Sequence, residues 1–178
     1  MNIDIRTIKP ADYKKAHAFQ CEYLDAEDFR DFVHRVEANP DLYFVASDGD
    51  ELVGVCYGHP SKKGQSTINL QGIAVNLDVT KRYARVGIGS NMMQVFEGAV
   101  KRKGYSKIGV GAADDPKVEH FYLKNGFKPR ELVAKGRGYV ELARVQIDNF
   151  TDGKILQQAL RQKYDALEVI FIFEKSVV

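Results

Sequence analysis

Apolar and polar positions alternate through residues 3–8, and a period of two predicts an opening strand. Pro10-Ala-Asp12 supplies a helix start, and a helical stretch follows to about Tyr23. Asp25-Ala-Glu-Asp28 reads as a second N-cap, opening a helix that ends before Pro40. Residues 42–46 and 52–57 are short β-rich runs about Ser47-Asp-Gly-Asp50, a hairpin signal. Between positions 67 and 79 the alternation changes phase. Ile68 and Leu70 share one parity, whereas Ile73, Val75, Leu77 and Val79 share the other. A strand keeps its phase unless a residue is added, so a β-bulge near Gln71-Gly72 is predicted, with two separate short strands as the alternative.

From Ile88 a helical stripe runs through Met92, Phe96 and Val100 until Gly104 stops it. Residues 107–112 read as a strand. Pro116 opens a helix striped by Val118, Phe121 and Tyr122, and Gly126 ends it. A strand is expected around residues 139–147. An amphipathic helix at about 151–164 should carry Ile155, Leu156, Ala159 and Leu160 on one face, and a last strand covers 168–174. Strands and helices interleave, with hairpins at both ends. The expected class is therefore mixed α/β (α+β type) around a mainly antiparallel sheet. No repeat, low-complexity segment or long linker divides the chain, so one domain over residues 1–178 is expected.

Composition narrows the picture. Hydrophobic residues make up 44% and charged residues 28%, the mix of a globular protein. Lys and Arg outnumber Asp and Glu by only 26 to 24, which argues against nucleic acid as a partner. No stretch reaches the ~20 apolar residues of a membrane span, and the charged opening lacks the apolar run of a signal peptide. Two cysteines, Cys21 and Cys56, lie in no pairing motif, which fits free thiols in the cytoplasm. Asn149-Phe-Thr151 matches a glycosylation acceptor by chance on that reading. His17, His34, His59 and His120 lack metal-ligand spacing, so no metal is expected.

Candidate chemistry sits in Leu77-Asp-Val-Thr-Lys-Arg-Tyr-Ala-Arg-Val-Gly-Ile-Gly-Ser90, which leads from a strand through a basic turn into a helix. Amides at a helix N-terminus lack intrahelical acceptors, and the helix dipole favours an anion there. Gly87 and Gly89 remove side chains that would hold a phosphate away, and Lys81, Arg82 and Arg85 add positive charge. The pattern suits a pyrophosphate cradle, although a purely structural turn would have the same residues. It has no Gly-Lys-Ser/Thr ending and no third glycine in dinucleotide spacing.

A second segment, Asp115-Pro-Lys-Val-Glu-His-Phe-Tyr-Leu-Lys-Asn-Gly-Phe127, follows one helix later. Together the two resemble the GNAT superfamily of N-acetyltransferases. The first is similar to its Leu-x-Val-x-Pro-x-Tyr-Arg-Gly-x-Gly-Ile-Gly segment, the second to its Asn-x-x-Ala-x-x-Phe-Tyr-x-Lys-x-Gly-Phe segment. Ile5-Arg6 and Asp12-Tyr13 also look like a GNAT start. The resemblance implies a single GNAT-like domain with splayed central strands and an acetyl-CoA site between them. Pantetheine would pair with the backbone of Leu77, Asp78 and Val79 as an added strand would. The pyrophosphate would rest on the turn of Ala84, Arg85, Val86, Gly87, Ile88, Gly89 and Ser90, with Asp115 and Tyr122 near the thioester. Three departures from the family pattern matter: Ala84 stands for its Gln or Arg, Lys81 for its Pro, and Asp115 for its Asn.

The implied reaction is direct transfer of acetyl from the thioester to a primary amine of a small molecule or protein. Tyr122 would be the general acid that meets the departing thiolate, or else an aromatic packed on its helix. Several family members carry an acidic base on the long central strand. Here Ile73 falls in that slot, with Gln71 and Asn76 nearby, leaving Asp114, Glu119 or a water relay. Cys21 and Cys56 have no base partner legible in sequence for a covalent route. Between Glu22 and Asp31 five acids (Glu22, Asp25, Glu27, Asp28, Asp31) face one Arg. In the family this region borders the acceptor groove, so a cationic amine would be favoured; capping and a solvated face are the plain alternative. The 136–167 segment is longer than the family's usual hairpin connection and could cover the acceptor, form a homodimer contact, or pack on its own sheet. A catalytically silent CoA-binding or regulatory module on the same fold is the rival to an enzyme.

Overall fold

A computed structural model describes all 178 residues. The chain forms two compact units, Met1–Ser106 with Val177–Val178, and Lys107–Ser176. The fold class is mixed α/β on antiparallel sheets.

The first unit contains β1 (Ile3–Thr7), α1 (Tyr13–Tyr23), α2 (Phe29–Ala38), β2 (Tyr43–Asp48), β3 (Glu51–Pro60), β4 (Thr67–Val75) and α3 (Ile88–Arg102). Its strands pair antiparallel in the order β1-β2-β3-β4. Arg6 on β1 donates two bonds to Asp12, at 2.7 and 2.9 Å, and the Lys9 amide donates a third at 2.7 Å. This fork holds the end of β1 to the start of α1, and it uses the residues of the family-like opening. Asp28 caps α2 by accepting from the Arg30 amide at 2.8 Å.

The sheet has two faces with different jobs. Tyr43, Val45, Val55 and Tyr57 bury against α1 and α2 with Phe32 and Val36. On the other face β3 offers small residues to α3: a Cβ on Gly54 would lie 2.8 Å from Met92 Cε, and one on Gly58 would lie 2.8 Å from Phe96 Cζ. Cys56 is fully buried, and burial pushes its thiol up, away from nucleophilic use.

The predicted bulge is present. Tyr57 pairs with Gly72 and Gly58 with Leu70, so Gln71 is the unpaired extra residue. β4 stops at Val75, although apolar alternation continues to Val79. Asn76 Oδ1 accepts from the Asp78 amide at 2.8 Å, and Asp78 Oδ1 from the Thr80 amide at 2.9 Å. These local turns compete with the ladder and end the strand.

The second unit contains β5 (Lys107–Gly111), α4 (Pro116–Lys124), β6 (Lys128–Lys135), β7 (Glu141–Gln146), α5 (Phe150–Tyr164) and β8 (Glu168–Ser176). The antiparallel order is β5-β8-β6-β7. Both helices cover the face bearing Phe171 and Phe173: Phe150 of α5 lies 5.1 Å from Phe171, and Tyr122 of α4 lies 5.8 Å from Phe173. α5 rests on its own sheet through Gly153, Gln157 and Leu160, while Ile155 is exposed. Of the expected face, Leu160 is buried and Leu156 half-buried, whereas Ile155 and Ala159 are exposed. β6 was not expected, because Pro129-Arg-Glu131 hides its apolar Leu132-Val-Ala134. No helix is long and apolar enough to cross a membrane.

Gly72 faces the buried Tyr57 ring, which stacks on Tyr43 at 4.8 Å and carries the Arg35 guanidinium at 4.5 Å. A Cβ on Gly72 would stand 2.7 Å from Tyr57 Cζ. Gly72→Ala is therefore expected to cost about 1–3 kcal/mol through overpacking, lowering the melting temperature by roughly 5 °C. An unchanged melting curve would contradict this packing.

Candidate active site

The glycine-bearing loop belongs to the first unit. From position 77 to 87 every side chain but one is exposed; the exception is Tyr83. The backbone enters the left-handed region at Arg82 (φ 59°), Arg85 (φ 62°) and Gly87 (φ 93°). For a side-chain-bearing residue that region costs about 1–2 kcal/mol. Gly87 is the N-cap of α3 and no side chain caps the helix; the first intrahelical bond runs from the Asn91 amide to Gly87 O at 2.9 Å. The amides at Ile88, Gly89 and Ser90 form the open first turn. A Cβ on Gly87 would meet no atom within 4 Å, so space lies in front of that turn. Free donors, the positive end of a 15-residue helix and the exposed Arg82 and Arg85 suit an anionic group. Leu77 and Val79 are exposed beside it, at 64% and 86%.

Lys81 is less available than its position suggests. Its ammonium lies 3.1 Å from Glu51 at the β2–β3 turn. The Tyr83 hydroxyl reaches the same turn, 3.2 Å from Asp48 Oδ2 and 3.2 Å from Glu51 Oε2. Burial and the two carboxylates push this phenol up to about 12, so it stays a donor near neutral pH. The family-like segment has a Tyr at this position, but the sequence does not show what Tyr83 meets, because its partners lie 35 and 32 positions earlier.

Two of the five acids in the first helices' run, Glu27 and Asp28, are structural. Arg35 clasps Glu27 at 2.7 Å and also bonds Gln20 Oε1 at 2.8 Å, while Asp28 is a cap. Glu22 instead lines a shallow groove of about 340 Å³ with Lys15, Phe19, Asp50, Glu51 and Leu52. His17 Nε2 lies 2.6 Å from the Glu27 carbonyl and 3.4 Å from Cys21 Sγ. The short carbonyl contact requires the proton on Nε2, so this nitrogen is not a base toward the thiol.

In the second unit Asp115 is the N-cap of α4, accepting from the Lys117 amide at 2.8 Å. Tyr122 is buried at 5% exposure, with Phe121 and Phe127 each 5.4 Å from its ring. Asp114 and Glu119 form a polar network with α5. Arg161 donates to both Asp114 oxygens at 2.7 and 3.0 Å, and the Val169 amide adds a bond of 2.9 Å. Burial would raise the Asp114 carboxyl, but these donors and the nearby Lys154 hold it below its ordinary value. Lys154 pairs with buried Glu119 at 2.9 Å, and Gln157 bridges Glu119 to Val169 O. On the first unit's strand, Gln71 is the exposed bulge residue and Asn76 accepts from Tyr23 and Asp78. None of these groups presents a free carboxylate base.

The sequence profile of the Acetyltransferase (GNAT) family matches residues 4–127, and the chain belongs to that family of acetyltransferases. A comparison with curated proteins finds no significant match. Among solved structures, Ard1 from Thermoplasma volcanium is 16% identical with a TM-score of 0.69, covering 100% of this chain and 99% of its own. yncA from Salmonella typhimurium, solved with its cofactor acetyl-CoA, is 11% identical with a TM-score of 0.69 and coverages of 99% and 94%. GphF, a GNAT-like decarboxylase in complex with isobutyryl-CoA, is 14% identical with a TM-score of 0.70 and coverages of 98% and 100%. At these identities the likeness shows the fold, and a decarboxylase on that fold means the fold alone does not choose the reaction.

The Asp114 site has a defined pH signature. A carboxyl held low in the native state stabilises above its unfolded value of about 3.9, and the contribution disappears as pH falls through the lower native value. Asp114→Asn is expected to cost about 2 kcal/mol at pH 7, with the deficit shrinking below about pH 3.9. Urea unfolding across that range checks it; an equal deficit at every pH would contradict the ion-pair account.

Proposed function

We propose that the chain transfers acetyl from acetyl-CoA directly to a primary amine. The observation that carries this reading is the open, uncapped first turn of α3 behind Gly87, in a chain of the GNAT family. On this proposal the backbone amides of Ala84, Arg85, Val86, Gly87, Ile88, Gly89 and Ser90 hold the pyrophosphate. Arg82 and Arg85 supply charge in place of the family's usual residue at Ala84. Leu77, Asp78 and Val79 lie exposed past the end of β4 and border the pantetheine arm on this proposal, with the pairing left to Leu77 and Val79 because the Asp78 amide and carbonyl are already bonded to Asn76 and Lys81. Asp115 and Tyr122 serve the thioester end. Bound in this way, acetyl-CoA would supply an activated acetyl group for attack by the amine.

Two proton requirements follow. An alkyl amine with a pKa of ~10.4 is free base in only about one molecule in 2,500 at pH 7, so a proton must leave. Asp114 and Glu119 are tied in ion pairs, and water is the acceptor this reading favours. The departing thiolate, near pKa ~8.5, gains from a donor, and Tyr122 is proposed for it. Full transfer from a phenol of pKa ~10 is uphill by roughly 2 kcal/mol, so a strong hydrogen bond suffices for the role.

The acceptor is proposed to be a cationic amine, drawn by Glu22 and Asp50 at the groove over Phe19 and Leu52, since Glu51 there is paired with Lys81. A homodimer is compatible with this reading and is not required by it. The free thiols of Cys21 and Cys56 fit the cytoplasm as the site of action.

Released CoA thiol, measured across a panel of neutral and polycationic amines, tests the reaction. Amine-dependent release is expected, faster for polycations; release with none of them would favour a silent CoA-binding module. With an active amine in hand, Tyr122→Phe should lower turnover by about 10²–10⁴. An unchanged rate would remove Tyr122 from the chemistry.

A further inference from the structure

The β2–β3 turn sets Asp48 directly opposite Glu51 across Gly49 and Asp50. Two carboxylates facing each other in a hairpin repel. Three groups relieve them here: the Asn2 amide donates to Asp48 at 3.1 Å, Lys81 pairs with Glu51 at 3.1 Å, and Tyr83 lies 3.2 Å from both. A phenol has one proton to donate, so it serves one carboxylate at a time. Lys81 supplies the positive charge that allows both carboxylates to stay close.

The loop needs this anchorage as much as the hairpin does. Residues 77–87 bury only Tyr83, at 6% exposure, and left-handed Arg82 and Arg85 flank it. Strained backbone persists only where its surroundings fix it. The local turns of Asn76 and Asp78 act upstream, at positions 78 and 80, and do not reach Arg85 or Gly87.

We infer that Tyr83 is a positioning residue for cofactor capture, its hydroxyl clamping the glycine loop to the Asp48–Glu51 pair so that the pyrophosphate cradle is set before the ligand arrives. This rests on the reading that the loop receives the pyrophosphate of acetyl-CoA. Without the clamp the ring still packs, but ordering of the loop is deferred to the binding step and weakens it.

The test compares acetyl-CoA with acetyl-pantetheine, which keeps the thioester and lacks the pyrophosphate. Titrated into Tyr83→Phe, acetyl-CoA should bind about tenfold more weakly than to the wild-type protein, while acetyl-pantetheine affinity should not change. Amides of residues 82–87 should also exchange hydrogen faster in the unliganded variant, while those of Asp78, Thr80 and Lys81, held by the Asn76 and Asp78 turns, should not. Asp48→Asn, which keeps the phenol and leaves a weaker acceptor, should show a smaller loss in the same ligand-selective sense, and it serves where Tyr83→Phe fails to fold. Equal loss of both ligands would mean general destabilisation and overturn the clamp. So would unchanged acetyl-CoA affinity in a variant of a wild-type protein that binds it. A wild-type protein that binds no acetyl-CoA would instead remove the cofactor reading, and the clamp's purpose with it.

Discussion

The constraint on which the site depends is the anchorage of one long loop by one buried ring. Across residues 77–87 only Tyr83 leaves the surface, and it does so against a pair of carboxylates. Every feature useful to an anion lies within seven residues of it: the left-handed Arg85, the glycine cap, and the first turn of α3. A flexible loop would offer the same amides at a greater entropic cost. Here the hairpin turn, the loop and the helix start hold one another, and the carboxylate repulsion at the turn is offset by the groups that hold the loop.

Much of the frame was legible in the chain. The phase change between Leu70 and Ile73 pointed to the bulge, because within one strand a period of two needs an extra residue to keep both halves on one core face, and β4 is one strand. Asp28 read as a cap and is one, and Pro116 read as a helix start and opens α4. Other features were hidden for identifiable reasons. Alternation through Leu77 and Val79 imitates a strand, yet Asn76 and Asp78 divert the backbone amides into local turns. β6 lies behind Pro129 and two charges. The buried face of α5 is Gly153, Gln157 and Leu160, a pattern in which a glycine is needed for close approach to Phe171 and Ile147, and an amide is needed to meet the carboxylates of Glu119 and Asp114.

The site was legible in part. Gly87 and Gly89 marked the helix start, and the loop's basic character was visible in Lys81, Arg82 and Arg85. Sequence could not show that Lys81 is committed to Glu51, since 30 positions separate them. For the same reason the acid run in the first helices looked like one charged surface, whereas Glu27 balances Arg35 and Asp28 caps a helix. In the second unit the two acids that sequence left open as proton acceptors are the ones the ion-pair network holds. Family membership, resting on residues 4–127, establishes the kind of chemistry; the acceptor and the proton route depend on side chains particular to this protein.

The central claim is that the open first turn of α3 receives the pyrophosphate of acetyl-CoA. The most direct measurement is an amide correlation spectrum of isotopically labelled protein during titration with acetyl-CoA. Saturable shifts at residues 85–90, largest at the amides of Ile88, Gly89 and Ser90, are predicted. Saturable binding that leaves those amides unmoved would contradict the account.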